Sequence, residues 1–223
     1  MKDKLNIASY RGAILDVDGT MLDSMLIWNN VASEYLKSRN RTPRPSLNEE
    51  LRKLGGHEIP RFFQKEYDIV EPAETILSSL NQLLENYYFY VAPLKPGVTR
   101  ALDILKNSGL SMSIATATDR RLIEPALERC GVFDYFGRIF TCPEELTSKR
   151  SPDIYIRAAD FMCSSIDETL VFEDALYAIV SAKRAGFTVV AVYDEDADDQ
   201  KDEIMSYCDY YLHTWDDIES MLA

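Results

Sequence analysis

The stretch GAILDVDGTMLDS, residues 12–24, decides the reading of the fold. The apolar run Ala13-Ile14-Leu15 continues into Asp16-Val17-Asp18, and Gly19 breaks it at once. Side chains in extended chain alternate, so Asp16 and Asp18 fall on one side. Two carboxylates held together repel and raise one another's pKa, so their pairing needs a physical reason. An apolar strand in a parallel sheet delivers such acids to the carboxyl edge, which is where ligands bind in open sheets.

Working outward, β-rich apolar runs recur at 111–115, 138–141, 169–172, 188–193 and 210–213. Helical spacing fills the gaps. Val98, Ala101, Leu102 and Leu105 share a face, as do Leu122, Ile123, Ala126, Leu127 and Cys130. Ile154, Tyr155, Ala158, Ala159 and Met162 form a third stripe, and Ala178, Ile179, Ala182 and Ala185 a fourth. Ser151-Pro152-Asp153 reads as a helix start with Ser151 as cap and Pro152 in the first turn. Strand and helix in alternation predict an α/β fold, a Rossmann-like doubly wound parallel sheet with helices on both faces.

Residues 25–92 interrupt this rhythm with helices and no convincing strand. Met25, Trp28, Val31, Ala32, Tyr35 and Leu36 keep helical spacing, and so do apolar residues from Ala73 to Val91. Between them, RTPRPS and LGGHEIPRFF are turn-rich, and APLKPGV at 92–98 reads as a hinge back. The expected organisation is a core domain of residues 1–24 and 93–223 with an inserted all-helical cap domain of residues 25–92.

The chain has 223 residues, of which 46% are hydrophobic, enough for a substantial core. A formal charge of −13 argues against a nucleic-acid or anionic-membrane binder. Cys130, Cys142, Cys163 and Cys208 are scattered without a C-x-x-C pair and are read as buried free thiols. No stretch reads as a signal peptide or a membrane span, so a soluble, cytoplasmic protein is expected; a monomer is the expected state. DEDADD at 194–199 alternates acids as a calcium loop would, but Asp199 replaces the glycine and Met205 the bidentate glutamate. It is read as a solvated loop.

At the predicted carboxyl ends stand Asp16 and Asp18, Thr116, and the pair Glu173-Asp174, with Lys149 in a loop before a helix. A hard cation such as Mg²⁺ relieves crowded carboxylates and takes phosphate oxygens as further ligands. One acid can attack phosphorus, and the other can protonate the leaving oxygen and then take a proton from water. Lys149, Thr116 and backbone N–H groups near Val17 and Ala117 can hold the oxygens of a transferring group. Each residue alone has an ordinary explanation: a solvated strand end, a surface lysine, or a cap for the helix after Asp174.

DVDGTMLDS resembles the first motif of the haloacid dehalogenase superfamily, and SIATAT resembles its second. KRSPDIY is similar to the lysine motif, and VFEDALYAIVSAKRAG to the acidic motif. The four occur in order and span the chain. The resemblance implies Asp16 as nucleophile, Asp18 as general acid and base, and Thr116 with the Ala117 amide on the phosphoryl group. It also implies Lys149 as neutralising cation, and Mg²⁺ on Asp16, the Asp18 carbonyl and Asp174, with Glu173 bound directly or through water. Gly19 then permits the tight turn after the strand. Arg150 stands in place of the usual proline and Ala178 in place of the usual glycine, and neither removes a reacting group.

Retention of Asp18 argues against dehalogenation. The pattern is similar to the β-phosphoglucomutase-like subgroup, which implies either a phosphatase of a sugar or polyol phosphate or a mutase. Trp28 occupies the place of a mutase histidine, and Arg61 is displaced from that of a cap arginine, which favours the phosphatase. Trp28, His57, Glu58 and Arg61 are the candidates for substrate selection by the cap. A phosphorelay receiver would need the acid pair before the acceptor Asp, the reverse of the order here. A glycosyltransferase would leave Lys149 and Thr116 without a role. A non-catalytic metal- or phosphate-binding regulator is the remaining alternative.

Overall fold

The structure, a computed structural model, describes residues 4–222. Six strands form one sheet: β1 (Gly12–Leu15), β2 (Ser111–Thr116), β3 (Arg138–Thr141), β4 (Thr169–Glu173), β5 (Thr188–Val192) and β6 (Tyr210–Leu212). Their order is β3-β2-β1-β4-β5-β6, and every pair is parallel. The helices in chain order are α1 (Met25–Ser38), α2 (Leu47–Leu51), α3 (Ile59–Glu66), α4 (Ala73–Tyr90), α5 (Val98–Asn107), α6 (Arg120–Arg129), α7 (Cys142–Glu145), α8 (Asp153–Phe161), α9 (Leu176–Ala185), α10 (Lys201–Tyr207) and α11 (Ile218–Met221).

The sheet forms because its strands carry continuous apolar runs, as strands covered on both faces must. Ala13, Ile14, Leu15, Leu170, Val171, Phe172, Val189, Val190 and Ala191 are all fully buried. One face packs Ile14, Val171 and Val189 against Ile154, Tyr155 and Ala158 of α8 and Ile179 and Ala182 of α9. Phe172 also stacks on Trp215, with ring centroids 5.2 Å apart. The order reverses at β1, which has β2 on one side and β4 on the other. Such a switch point opens a crevice at the carboxyl ends. Gly12 is level with Ser111 and with Thr169, and the ladder runs one residue past the strand, since the Asp16 N–H donates to the Phe172 carbonyl at 3.0 Å.

The chain divides into two compact units, residues 1–23 with 92–223, and residues 24–91. The second is wholly helical, with a core of Ala32, Tyr35, Leu36, Leu47, Phe63, Ile76 and Leu80. Its turn-rich middle contains two helices that the sequence pattern hides, α2 and α3. Pro60 lies in the first turn of α3, where a missing N–H costs nothing, so it starts the helix instead of breaking it. Phe63 then stacks on Tyr35 of α1 at 5.3 Å, and this packing holds a short helix of low intrinsic stability.

Three local expectations are corrected. Ser151 does not cap α8, since Pro152 takes that position and the Ser151 hydroxyl donates to the Asp153 carboxylate at 2.8 Å. All four cysteines are free, but Cys163 is exposed, in a left-handed turn with φ of 52°, and Cys130 is only half-buried. The 194–199 segment is a 3₁₀ turn, not a wholly solvated loop. Asp194 is buried, accepting from the Asp196 N–H at 3.0 Å and from Lys95 Nζ at 2.7 Å.

Candidate active site

The sheet register brings the acids of β1 and β4 together. Leu15 is level with Phe172, so Asp16 and Glu173 leave neighbouring strands side by side. Asp16, Glu173 and Asp174 are all buried, and each offers an oxygen within 4.8 Å of the others. Lys149, 4% exposed, sits between two of them. Its ammonium donates to Asp16 Oδ1 and, at 2.6 Å, to Glu173 Oε1. One lysine among three buried carboxylates leaves excess negative charge.

The titration of these groups follows from that imbalance. Burial raises the Glu173 carboxyl to about 7, against the lowering pull of Lys149. Burial, then the Asp16 and Glu173 charges, push Asp174 well above the ordinary carboxylate range. Burial alone would lower the Lys149 ammonium, but Asp16 and Glu173 outweigh it and hold its pKa above the usual lysine value. Glu173 Oε2 is buried with no hydrogen-bond partner among the described residues. Such an orphaned oxygen carries a desolvation cost that a cation would offset. Hard oxygen donors at this spacing fit a divalent cation of the Mg²⁺ class.

Four side chains that the sequence reading left out of the site hold it in place. The Thr118 hydroxyl donates to Asp18 Oδ2 at 2.6 Å, and its N–H donates to Thr116 Oγ1 at 3.1 Å. The Thr20 hydroxyl donates to Asp174 Oδ1 at 3.0 Å, so Asp174 does not cap α9, whose first flanking position is Ala175. The Tyr155 hydroxyl donates to Glu173 Oε1 at 2.8 Å. Spacing had marked Tyr155 as core, and a hydroxyl inside a buried stripe is the signal that it has a partner. Lys95 binds the turn after β1. Gly19, at φ of 78°, makes that turn, and the Gly19, Met21 and Leu22 N–H groups close it on Leu22 and Val17 carbonyls.

Thr116 is fully buried at the end of β2, and Ala117 beside it is exposed. The Arg150 guanidinium lies over the Tyr177 ring, 4.8 Å from its centre, and Ala178 is fully buried. Trp28, His57, Glu58 and Arg61 all belong to the helical unit. The Trp28 indole donates to the Tyr88 hydroxyl at 2.8 Å, and Glu58 Oε2 accepts the Gly55 N–H at 2.7 Å, a local cap. That unit carries its own open pocket of about 470 Å³, lined by Trp28, Arg52, Gly56 and Asn81 among others, but not by His57, Glu58 or Arg61.

With the geometry in place, comparison with known proteins gives a family. Residues 13–192 match the family model of the haloacid dehalogenase-like hydrolases. The chain belongs to this family. A Bacillus subtilis protein, YhcW, is 35% identical over 98 residues, so that match spans 44% of either chain. The (DL)-glycerol-3-phosphatase 2 of Arabidopsis thaliana is 28% identical across 96% of each chain. A Thermotoga maritima structure, provisionally named a β-phosphoglucomutase, superposes with a TM-score of 0.82 over 94% of this chain and 97% of that one. At 19% identity that likeness speaks to the fold alone. This haloacid dehalogenase-like chain is an enzyme of the hydrolase class, built on a doubly wound parallel sheet. Among its described residues, no helix is long and apolar enough to cross a membrane.

Proposed function

We propose that this hydrolase is a Mg²⁺-dependent phosphatase that cleaves a small phosphate monoester, a sugar or polyol phosphate, through an aspartyl-phosphate. The observation that carries the reading is the buried pairing of Asp16 with Lys149 beside Glu173 and Asp174 at the switch point. The likeness to a glycerol-3-phosphatase along nearly the whole chain supports the same chemistry.

The Asp16 carboxylate attacks phosphorus, and the ester P–O bond breaks with its electron pair on the leaving oxygen. Asp18 gives that oxygen a proton. Water then attacks the phosphorus of the aspartyl-phosphate and returns a proton to Asp18. Phosphate departs, and the Asp16 carboxylate is regenerated. Thr116, the Ala117 N–H and Lys149 bind the equatorial oxygens, where negative charge develops. The Thr118 hydroxyl fixes which way the Asp18 carboxyl faces.

Asp16, Asp174 and Glu173, with the Asp18 main-chain carbonyl, would hold Mg²⁺, Glu173 either directly or through water. The ion supplies neutralisation of the crowded carboxylates and of the phosphoryl oxygens. Substrate choice is assigned to the helical unit, with Trp28 at its pocket and His57, Glu58 and Arg61 on its exposed loop and helix.

The test is phosphate release from a panel of small esters with and without Mg²⁺. Release is expected from sugar or polyol phosphates, and Asp16→Asn should lower it by about 10⁴-fold or more, as loss of a nucleophile does. Turnover that survives Asp16→Asn would reject the aspartyl-phosphate. Glucose 6-phosphate formed from β-glucose 1-phosphate faster than phosphate is released would make the enzyme a mutase.

A further inference from the structure

Asp18 sits on a turn whose carbonyls are gripped from outside. Three consecutive ones have distant donors. The Gly19 carbonyl accepts from Lys95 Nζ, the Thr20 carbonyl from the Trp215 indole at 2.9 Å, and the Met21 carbonyl from the Lys95 N–H at 2.8 Å. Lys95 supplies two of the three, one through its backbone and one through its side chain.

An ammonium has three N–H donors and no acceptor. Lys95 uses its donors on the Gly19 carbonyl, the Tyr193 carbonyl at 2.8 Å and Asp194 Oδ2 at 2.7 Å. Its side chain is 14% exposed and that of Asp194 is 7% exposed. A lysine so enclosed, with every donor used, has lost the freedom that surface lysines keep. It also ties three separate segments together: the turn after β1, the chain at residues 92–97, and the end of β5. The bridge between Leu22 and Leu94 and the Asp23 N–H on the Pro93 carbonyl extend the same tie.

We propose that Lys95, anchored by Asp194, is a positioning residue for proton transfer by Asp18. The inference rests on the phosphatase reading given above. Lys95 touches no reacting atom. It fixes the turn that follows Asp18 through the Gly19 and Met21 carbonyls, while Thr118 fixes the Asp18 carboxyl. Small displacements of a reacting group reduce rate steeply, about 100-fold for an ångström. Protonation of the leaving oxygen is the step exposed to such a displacement, because it matters most when the leaving group is a poor one.

The experiment compares p-nitrophenyl phosphate, a good leaving group, with glycerol phosphate, a poor one, on wild type, Lys95→Met, Lys95→Arg and Lys95→Met/Asp194→Asn. The double variant avoids stranding a buried carboxylate. Its kcat on glycerol phosphate is expected to fall about 10- to 100-fold, with KM within about two-fold and a loss of only a few-fold on p-nitrophenyl phosphate. Lys95→Arg should recover part of the loss. Amide exchange should quicken at Gly19, Met21 and Leu22 while β4 and α9 stay protected. Equal losses on both esters, or unchanged kcat beside faster exchange, would mean that Lys95 is only structural and would overturn the inference. Wild type that releases phosphate from neither of these nor from any sugar phosphate of the panel would reject the phosphatase reading, and this inference with it.

Discussion

Asp18 and Thr118 are separated by 100 positions in the chain and by 2.6 Å between hydrogen-bonding oxygens. That bond leaves the Asp18 carboxyl with one oxygen committed to Thr118, and the Thr118 N–H commits Thr116 Oγ1 in turn. Thr118 thereby orients two groups of the proposed reaction without needing to meet substrate. Thr118→Val keeps the shape and removes the donor. It should lower kcat about 10-fold and leave KM within about two-fold, the cost of one lost hydrogen bond. A rise in KM with kcat unchanged would instead place Thr118 in substrate binding. Asp16, Asp18, Lys149, Glu173 and Asp174 were legible from their order and local context. Thr118, Thr20 and Tyr155 were not, because an isolated hydroxyl has many ordinary uses and its partner is set by strand register.

At the scale of elements, the helical unit is held by an ion pair as well as by its core. Arg39, just past α1, donates from Nε to Glu71 Oε1 at 2.7 Å and from Nη2 to Ser79 of α4 at 3.0 Å. The Tyr35 hydroxyl donates to Glu71 Oε2 at 3.1 Å. The Arg39 bond, helped by Tyr35 and opposed by burial, holds the Glu71 carboxyl below its usual pKa. Burial, then Glu71, push the Tyr35 phenol up to about 12. A carboxyl lowered by folding stabilises fully above its unfolded pKa of about 4.3, and the gain is lost as pH falls through the lower folded value. Stability of the helical unit should therefore fall more steeply below about pH 4.3 in wild type than in Glu71→Gln. At neutral pH that variant should cost about 1 kcal/mol, since the pair is partly exposed. Urea melts of the two proteins from pH 3 to 7 check this, and parallel profiles would refute it. The long stripes of α1 and α4 were readable from spacing. The short α2 and α3 were not, because five and eight residues carry too little periodicity, and Phe63 acquires its meaning only from Tyr35.

For the molecule as a whole, the acidic centre is an electrostatic liability that an ion would remove. Three buried carboxyls face one lysine, and burial raises both Glu173 and Asp174. A cation that binds only the folded chain stabilises it by about 2.7 kcal/mol at a hundred times its Kd. For a chain of this size that is a rise of about 5–10 °C in the melting temperature. Mg²⁺ should give it, a chelator should reverse it, and Asp174→Asn should abolish it. A melting temperature indifferent to Mg²⁺ would count against a metal site. The sequence by itself determined the alternation of strand and helix, the helical interruption, the acids that follow the strands and the lysine in a loop before a helix. These are local properties: apolar period, turn chemistry, and the direction of side chains in extended chain. Only the tertiary structure decided that Thr118 holds Asp18, that Tyr155 and Lys149 share an oxygen of Glu173, and that Lys95 binds Gly19 and Asp194. Those bonds join residues far apart in the chain. They depend on strand order, register and rotamer, which no local pattern encodes.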